Sequence, residues 1–283
     1  MKSAYIPPPG SGEAVEKPPR PRTKFYVRHI VASDTHHFIG RIYDLSIVGL
    51  SFDSYEELAK YDDCKYAIDV NQAVSSLAQR VESMNLVGEM LWPEQLPEDF
   101  KKFPLSRYQW LIVATDVFLV RYISIVDCAL LLVNEVYEIG LKPEVCTLSN
   151  LKRKGIPQNI VDILNALLDD QGSLRRERNR RVHHGAERSF TGDDQTFRLG
   201  SLFERWANGM TGHDRFGRKV NIERSFKEGL VGLQKEFNQS TRKLEKQLDR
   251  LYDDLRREFE DRFGPRIRAA THGLNAGANR EAR

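Results

Sequence analysis

The stretch "LRRERNRRVHHG", Leu174 to Gly185, holds five arginines, one asparagine and two adjacent histidines. Each type brings a definite chemistry. Histidine titrates near neutrality, so it can take or give a proton. Arginine stays charged and grips phosphate through paired N–H donors. On a helix, residues four apart share a face, so Asn179 can hydrogen-bond the His183 ring and fix its orientation. Arg178 lies five residues before His183, about 140° round a helix. Its long side chain can still converge on an anion near the histidine. His184 points about 100° away from His183. One His and one Arg aimed at the same phosphate make a minimal phosphodiester-cleaving site. RNA supplies its own nucleophile, the 2′-OH. The histidine assists proton transfer, and the arginine stabilises charge developing on the phosphate. That chemistry requires no metal.

Such residues need elements to hold them, and the hydrophobic pattern supplies helices. From Asp63 the chain reads as an amphipathic helix with one stripe at Tyr66, Val70, Val74, Leu77, Val81 and Met84. A proline-rich break follows. The next helix, about 106–139, is apolar nearly all round and belongs in the centre of a core. Gly140 and Pro143 stop it. A short helix or turn is expected at "SNLKRKG". Pro157 then opens a helix carrying Ile160, Ile163, Leu164, Leu167 and Leu168. "DDQGS" reads as a turn, with Ser173 placed to cap the motif helix. A further helix follows at "TGDDQTFRLGSLFERWANG", and "GMTGHDRFGRKVN" reads as a polar loop. From Ile222 to about Phe263 a long amphipathic helix puts Phe226, Leu230, Leu233, Phe237, Leu244, Leu248, Leu251, Leu255 and Phe259 mostly on one face. It packs on the core or on another subunit. The expected fold class is all-α, a helical bundle with a long C-terminal amphipathic helix. The expected organisation is a disordered Pro-rich tail over 1–24, an extension over 25–62 whose pattern fits strand or helix, a helical domain over 63–263 and a flexible tail over 264–283.

Composition narrows the function. With 283 residues, 40% hydrophobic and 29% charged, the chain can build a real core. A net charge of +3 is no polycation, so a nucleic-acid site must come from local clustering. Cys64, Cys128 and Cys146 form no C-x-x-C pair and no metal-ligand spacing, which fits a reducing compartment. Cys128 sits in an apolar run and reads as a small buried hydrophobe. The opening segment has no apolar h-region. The longest apolar stretch is interrupted by Asp116, Arg121 and Asp127, at a density costly in a bilayer. A core helix and a cytoplasmic protein are therefore expected. His29, His36 and His37 lack Cys or acidic companions at ligand spacing and read as surface or packing residues. No Walker loop, G-x-S-x-G, H-E-x-x-H or dinucleotide fingerprint is present, so neither a metal nor a cofactor is expected. Trp92, Trp110 and Trp206 read as core or interface anchors.

Arg178, Asn179, three residues and His183 form the R-N-x-x-x-H version of the R-x(4–6)-H motif, and in this all-α setting the chain resembles HEPN domains (higher eukaryotes and prokaryotes nucleotide-binding). The resemblance covers roughly 63–263. It implies a metal-independent endoribonuclease that leaves 2′,3′-cyclic phosphate and 5′-OH ends, acting as a toxin or anti-phage effector. It implies Arg178, Asn179 and His183 as the catalytic set, with His184 the reserve base. It also implies a polar residue on an earlier helix that steadies the motif; Asp127 and Asn134 are the candidates. A homodimer is implied, with two motif copies facing each other in a shared site. RNA is the implied partner, with an antitoxin or regulatory protein as a further one, and no membrane.

Two plainer readings compete. The motif could be a solvated basic helix face. Alternatively, Arg175, Arg176, Arg180 and Arg181 hold RNA phosphates or a nucleotide without cleavage, as in non-catalytic HEPN domains. "LDRLYDDLRREFEDRF" alternates in sign, unlike a DNA-contacting helix.

Overall fold

Spacings of three and four between apolar residues decide most of the elements. The computed structural model of the chain describes residues 4–6, 19–32, 35–94, 96–97, 99–206 and 209–275. In order they form β1 (Ala4–Ile6), α1 (His37–Ser46), α2 (Tyr55–Leu58), α3 (Asp62–Leu91), α4 (Arg107–Val136), α5 (Leu148–Arg153), α6 (Gln158–Asp170), α7 (Gly172–His184), α8 (Asp194–Trp206), β2 (Met210–Gly212) and α9 (Ile222–Ala269). Among the described residues the only sheet is the short parallel pair β1–β2. The fold is all-α.

The stripes bury as their periods demand. Tyr66, Val70, Val74, Leu77, Val81 and Met84 of α3 are all inside. So are all nine apolar residues expected on one face of α9. Pro157 sits at the N-cap of α6, where its missing N–H costs nothing. Gly140 takes φ +72°, a conformation glycine adopts without strain, just beyond α4.

Two units partition the described chain. The first gathers residues up to His29, Asn85–Val120 and Arg176–Gln239; the second gathers Ile30–Met84, Arg121–Arg175 and residues from Ser240 onward. In the first, Phe118 and Trp92 close on Phe237, while Phe100, Phe103 and Trp110 form a cluster that Phe226 joins edge-on. Trp92 donates its indole N–H to the Tyr26 carbonyl and Trp110 to that of Met90. In the second unit, Phe259 stacks between Tyr66 and Phe263, each centroid 5.2 Å away, with Phe38 edge-on. The Tyr66 hydroxyl donates to the Val136 carbonyl, so even this buried polar tip is satisfied.

The structure departs from the sequence reading at five places. The 25–62 segment, readable as strand or helix, is extended at first and then helical in α1 and α2. His36 caps α1 by accepting from the Phe38 N–H, and its other ring nitrogen faces Asp253 at 3.3 Å. Within the expected N-terminal tail, the backbone of Ala4–Ile6 pairs with Met210–Gly212; residues 1–3 and 7–18 lie outside the described residues. The "GMTGHDRFGRKVN" loop contains β2 and a tight turn, because the Asp214 carboxylate accepts from the Phe216 and Arg218 N–H groups. Ser173 does not cap α7 but lies inside it. The buried Gln171, anchored to the Tyr122 carbonyl, takes that place and accepts from the Arg175 N–H. Finally, α9 continues through Pro265 to Ala269. A helix-interior proline costs about 3 kcal/mol, but Arg266 beyond it binds Asp62 and Glu138 and covers the Tyr66 ring at 4.3 Å. That anchoring offsets the lost hydrogen bond. Residues 276–283 of the expected C-terminal tail lie outside the described residues.

Phe259→Ala is expected to destabilise the protein by about 3–5 kcal/mol, the usual cost of emptying a fully buried aromatic site. Chemical denaturation at constant slope checks it.

Candidate active site

Helix α7 is unlike the other helices of ten residues or more: Leu174 is its one buried residue among the described side chains. Its hold on its surroundings therefore comes from charge. Arg181 has a side chain only 8% exposed; its Nε donates to the Asp116 Oδ1 on α4 at 2.7 Å, and its Nη2 forms an ion pair with the same oxygen at 2.7 Å. The Arg181 Nη1 is buried without a hydrogen-bond partner. Glu177 is held by Arg188, whose Nε donates to it at 2.7 Å and whose guanidinium also binds Glu236 on α9. Burial disfavours the Arg188 charge, but the bonds from Glu177 and Glu236 outweigh it and raise the pKa. In the second unit, Arg175 donates to Asp127 at 2.9 Å and to the Gln171 side chain at 3.2 Å.

The flanking arginines thus divide. Arg175 and Arg181, expected to contact RNA, are engaged with carboxylates. A guanidinium facing the protein interior must be neutralised there, and the sequence pattern did not show which of the five would face inward. Arg176 and Arg180 are exposed and make no side-chain hydrogen bond or ion pair among the described residues.

The motif residues behave like Arg176 and Arg180. Asn179, His183 and His184 are exposed and Arg178 is half-buried, and none has a side-chain partner among the described residues. The expected hydrogen bond from Asn179 to His183 is not formed. The helix is unbroken from Gly172 to His184, so Arg178 and His183 remain about 140° apart around it. Gly185, at φ +60°, ends the helix, with its N–H donating to Arg181 and that of Ala186 to Arg180.

The two auxiliary candidates differ. Asp127 is taken by Arg175. Asn134 is 1% exposed and closes the turn after α4: it accepts from the Leu141 N–H at 2.9 Å and donates to the Leu141 carbonyl at 3.2 Å. Sequence reasoning missed Asp116, Arg188 and Glu187. Asp116 was read only as a charge interrupting an apolar run, although an acid on an otherwise apolar helix is itself a sign of a basic partner. Glu187 accepts from the Tyr108 hydroxyl and from Arg198. Burial, then Asp194 and Glu187, push the Tyr108 hydroxyl pKa well up.

An open cavity of about 300 Å³ lies beside Arg178, between α4 and the end of α7. Ile112, Leu119, Val120 and Val182 form its apolar lining, and Asp116, Arg178, Arg181 and Glu187 its polar groups.

The Cthe2314-like HEPN family model matches residues 66–245, more than half of the chain. The chain belongs to the HEPN family. No curated protein and no solved structure matches it. The family is one of nucleotide-binding or ribonuclease-like domains and is often dimeric. No described helix is long and apolar enough to cross a membrane. The described residues bring together no group of three His, Cys, Asp or Glu that could hold a metal ion. Burial raises the Cys64 and Cys146 thiols to about 11 and Cys128 in the same direction, which keeps all three protonated and poor nucleophiles. Trp206, expected as a core or interface anchor, is 73% exposed.

Arg188→Ala leaves Glu177 and Glu236 unpaired in a partly buried site. It is expected to cost about 3 kcal/mol, whereas Arg176→Ala and Arg180→Ala stay within about 0.5 kcal/mol. Urea unfolding of the three variants checks the division into structural and ligand-ready arginines.

Proposed function

We propose that this HEPN protein is a metal-independent endoribonuclease with Arg178, Asn179 and His183 as its working set. The observation that carries the reading is the selective absence of partners. Around the motif, Arg175, Arg181 and Arg188 are matched with carboxylates, while Arg178, Asn179, His183, Arg176 and Arg180 are left for a ligand. Family membership supports a nucleotide, or RNA, as that ligand.

The chemistry follows from the groups. Arg178 binds the phosphate through its paired N–H donors and stabilises the charge that grows on its oxygens. The RNA 2′-OH attacks the adjacent phosphorus. The 2′-O–P bond forms and the P–O5′ bond breaks, leaving a 2′,3′-cyclic phosphate and a 5′-OH. One imidazole takes the 2′-OH proton, and a protonated imidazole gives one to the departing 5′-oxygen. His183 fills the first role, and His183 of a second copy the other. Arg178 and His183 lie about 140° apart round the helix; the long Arg178 side chain spans that angle to reach the phosphate, and a second copy supplies the second imidazole. His184 remains the reserve base. Asn179 contacts RNA or orients His183 once RNA is bound. Arg176 and Arg180 add salt-dependent affinity. The domain that carries this activity is proposed to be 63–263. By family resemblance it works in the cytoplasm as a toxin or anti-phage effector held by an antitoxin or regulatory protein.

The same exposure of His183, with no group orienting its ring, supports a second reading: RNA or nucleotide binding without cleavage. RNA cleavage in EDTA separates the two. Wild type is expected to cut and leave cyclic-phosphate ends, unaffected by metal removal. His183→Ala is expected to lose at least about 100-fold in rate while keeping RNA affinity, the usual contribution of a general acid–base group. A folded wild-type protein that binds RNA but never cuts it selects the binding reading.

A further inference from the structure

The cavity beside Arg178 has a composition that a phosphate alone does not use. Ile112, Leu119, Val120 and Val182 give it apolar walls, and its volume of about 300 Å³ is that of a small-ligand pocket. Val120 and Val182 are 50% and 62% exposed, so apolar surface lies open to solvent at this place. Two carboxylates also line it, and each has one oxygen in use and one spare. Arg181 takes the Asp116 Oδ1 with its Nε and Nη2, leaving Oδ2 without a partner among the described residues. Tyr108 and Arg198 take the Glu187 Oε2, leaving Oε1. The charges of these carboxylates are offset by the arginines that hold them. What remains is an apolar slot with two spare acceptors, beside the Arg178 guanidinium and the unpartnered Nη1 of Arg181.

We propose that this cavity is a guanine pocket. A flat ring fits the apolar walls, and the spare acceptors select the edge it must present. Guanine carries a ring N1–H beside a 2-amino group, two adjacent donor positions. Adenine and cytosine offer an amino group beside an acceptor nitrogen, and uracil a single ring N–H between two carbonyls. Guanine is the one base of the four that presents two donor nitrogens on a single edge, one for each carboxylate. Both carboxylates are about half exposed, so a base without those donors leaves an acceptor to water and forgoes a hydrogen bond, a moderate rather than absolute discrimination. The proposal rests on the reading of Arg178 as the phosphate-binding residue, because that places the pocket one nucleotide from the phosphate. The guanine can belong to an RNA chain next to the cleaved bond or to a free guanine nucleotide. Asp116 is then a specificity residue as well as the anchor of Arg181.

Two readouts test it. The first is binding of GMP, AMP, CMP and UMP to full-length His183→Ala protein by calorimetry. The second is the mapping of 5′-OH ends after wild-type protein acts on a random-sequence RNA. GMP is expected to bind at least about tenfold tighter than the others, and cuts are expected beside guanine. Asp116→Asn and Val182→Trp should each remove the preference. Val182 is exposed, so the tryptophan fills the slot without touching a buried core; circular dichroism and thermal unfolding verify both folds. Guanine preference in either readout, lost in both variants, supports the pocket. If it shows in binding while no RNA is cut, the pocket stands with a free nucleotide as ligand and the ribonuclease reading falls. Cleavage without guanine bias, together with equal binding of the four nucleotides, overturns the pocket and leaves the ribonuclease reading intact. A preference that survives both substitutions overturns the pocket as well.

Discussion

A helix with one buried apolar side chain has to be held by something other than hydrophobic burial. That constraint governs α7. Its other inward groups are charged, and each finds an opposite charge: Arg181 on Asp116, Glu177 on Arg188 and, in the second unit, Arg175 on Asp127. A guanidinium that is nine-tenths buried is stable only because the carboxylate beside it replaces its water. The pairing also sets rotation. With Arg181 fixed toward α4, the 3.6-residue period turns His183 and Asn179 outward and brings Arg178 to the edge of the cavity. The orientation of the motif follows from which arginine is tied down.

The same constraint gives the neighbourhood its chemistry. Asp116, which neutralises the buried Arg181, and Glu187, which pairs with Arg198 and Tyr108, line the cavity, and each retains a free oxygen. Pairing that serves stability therefore leaves acceptors at the place where a ligand of Arg178 would lie. The arginines on the outer face need no such partner and stay free, which is the pattern expected where phosphates bind.

Much of the fold was legible because burial follows period. The stripes of α3 and α9 come from side chains that must leave water, and their spacing admits only a helix. Segments decided by other forces were not legible. The continuation of α9 through Pro265 depends on Arg266 meeting Asp62 and Glu138, residues far away in sequence. The backbone of Ala4–Ile6 finds its strand partner more than two hundred residues on. Ser173 lies inside α7, while Gln171, between α6 and α7, is held by a carbonyl on α4. The motif was found as a spacing of Arg178, Asn179 and His183, but a spacing contains no burial. It could not separate Arg176 and Arg180 from Arg175 and Arg181.

The sequence by itself determined the all-α class, the long amphipathic C-terminal helix and the HEPN resemblance that the family match bears out. Those are properties of local periodicity and of residues close together in the chain. Only the tertiary structure decided which charges are paired, that Asn134 closes a turn, and that Asp116 and Glu187 line a cavity with Arg178. The reason is physical. Pairing of a buried charge is a long-range event, set by which surfaces meet when the apolar faces close, and no local pattern in the chain encodes it.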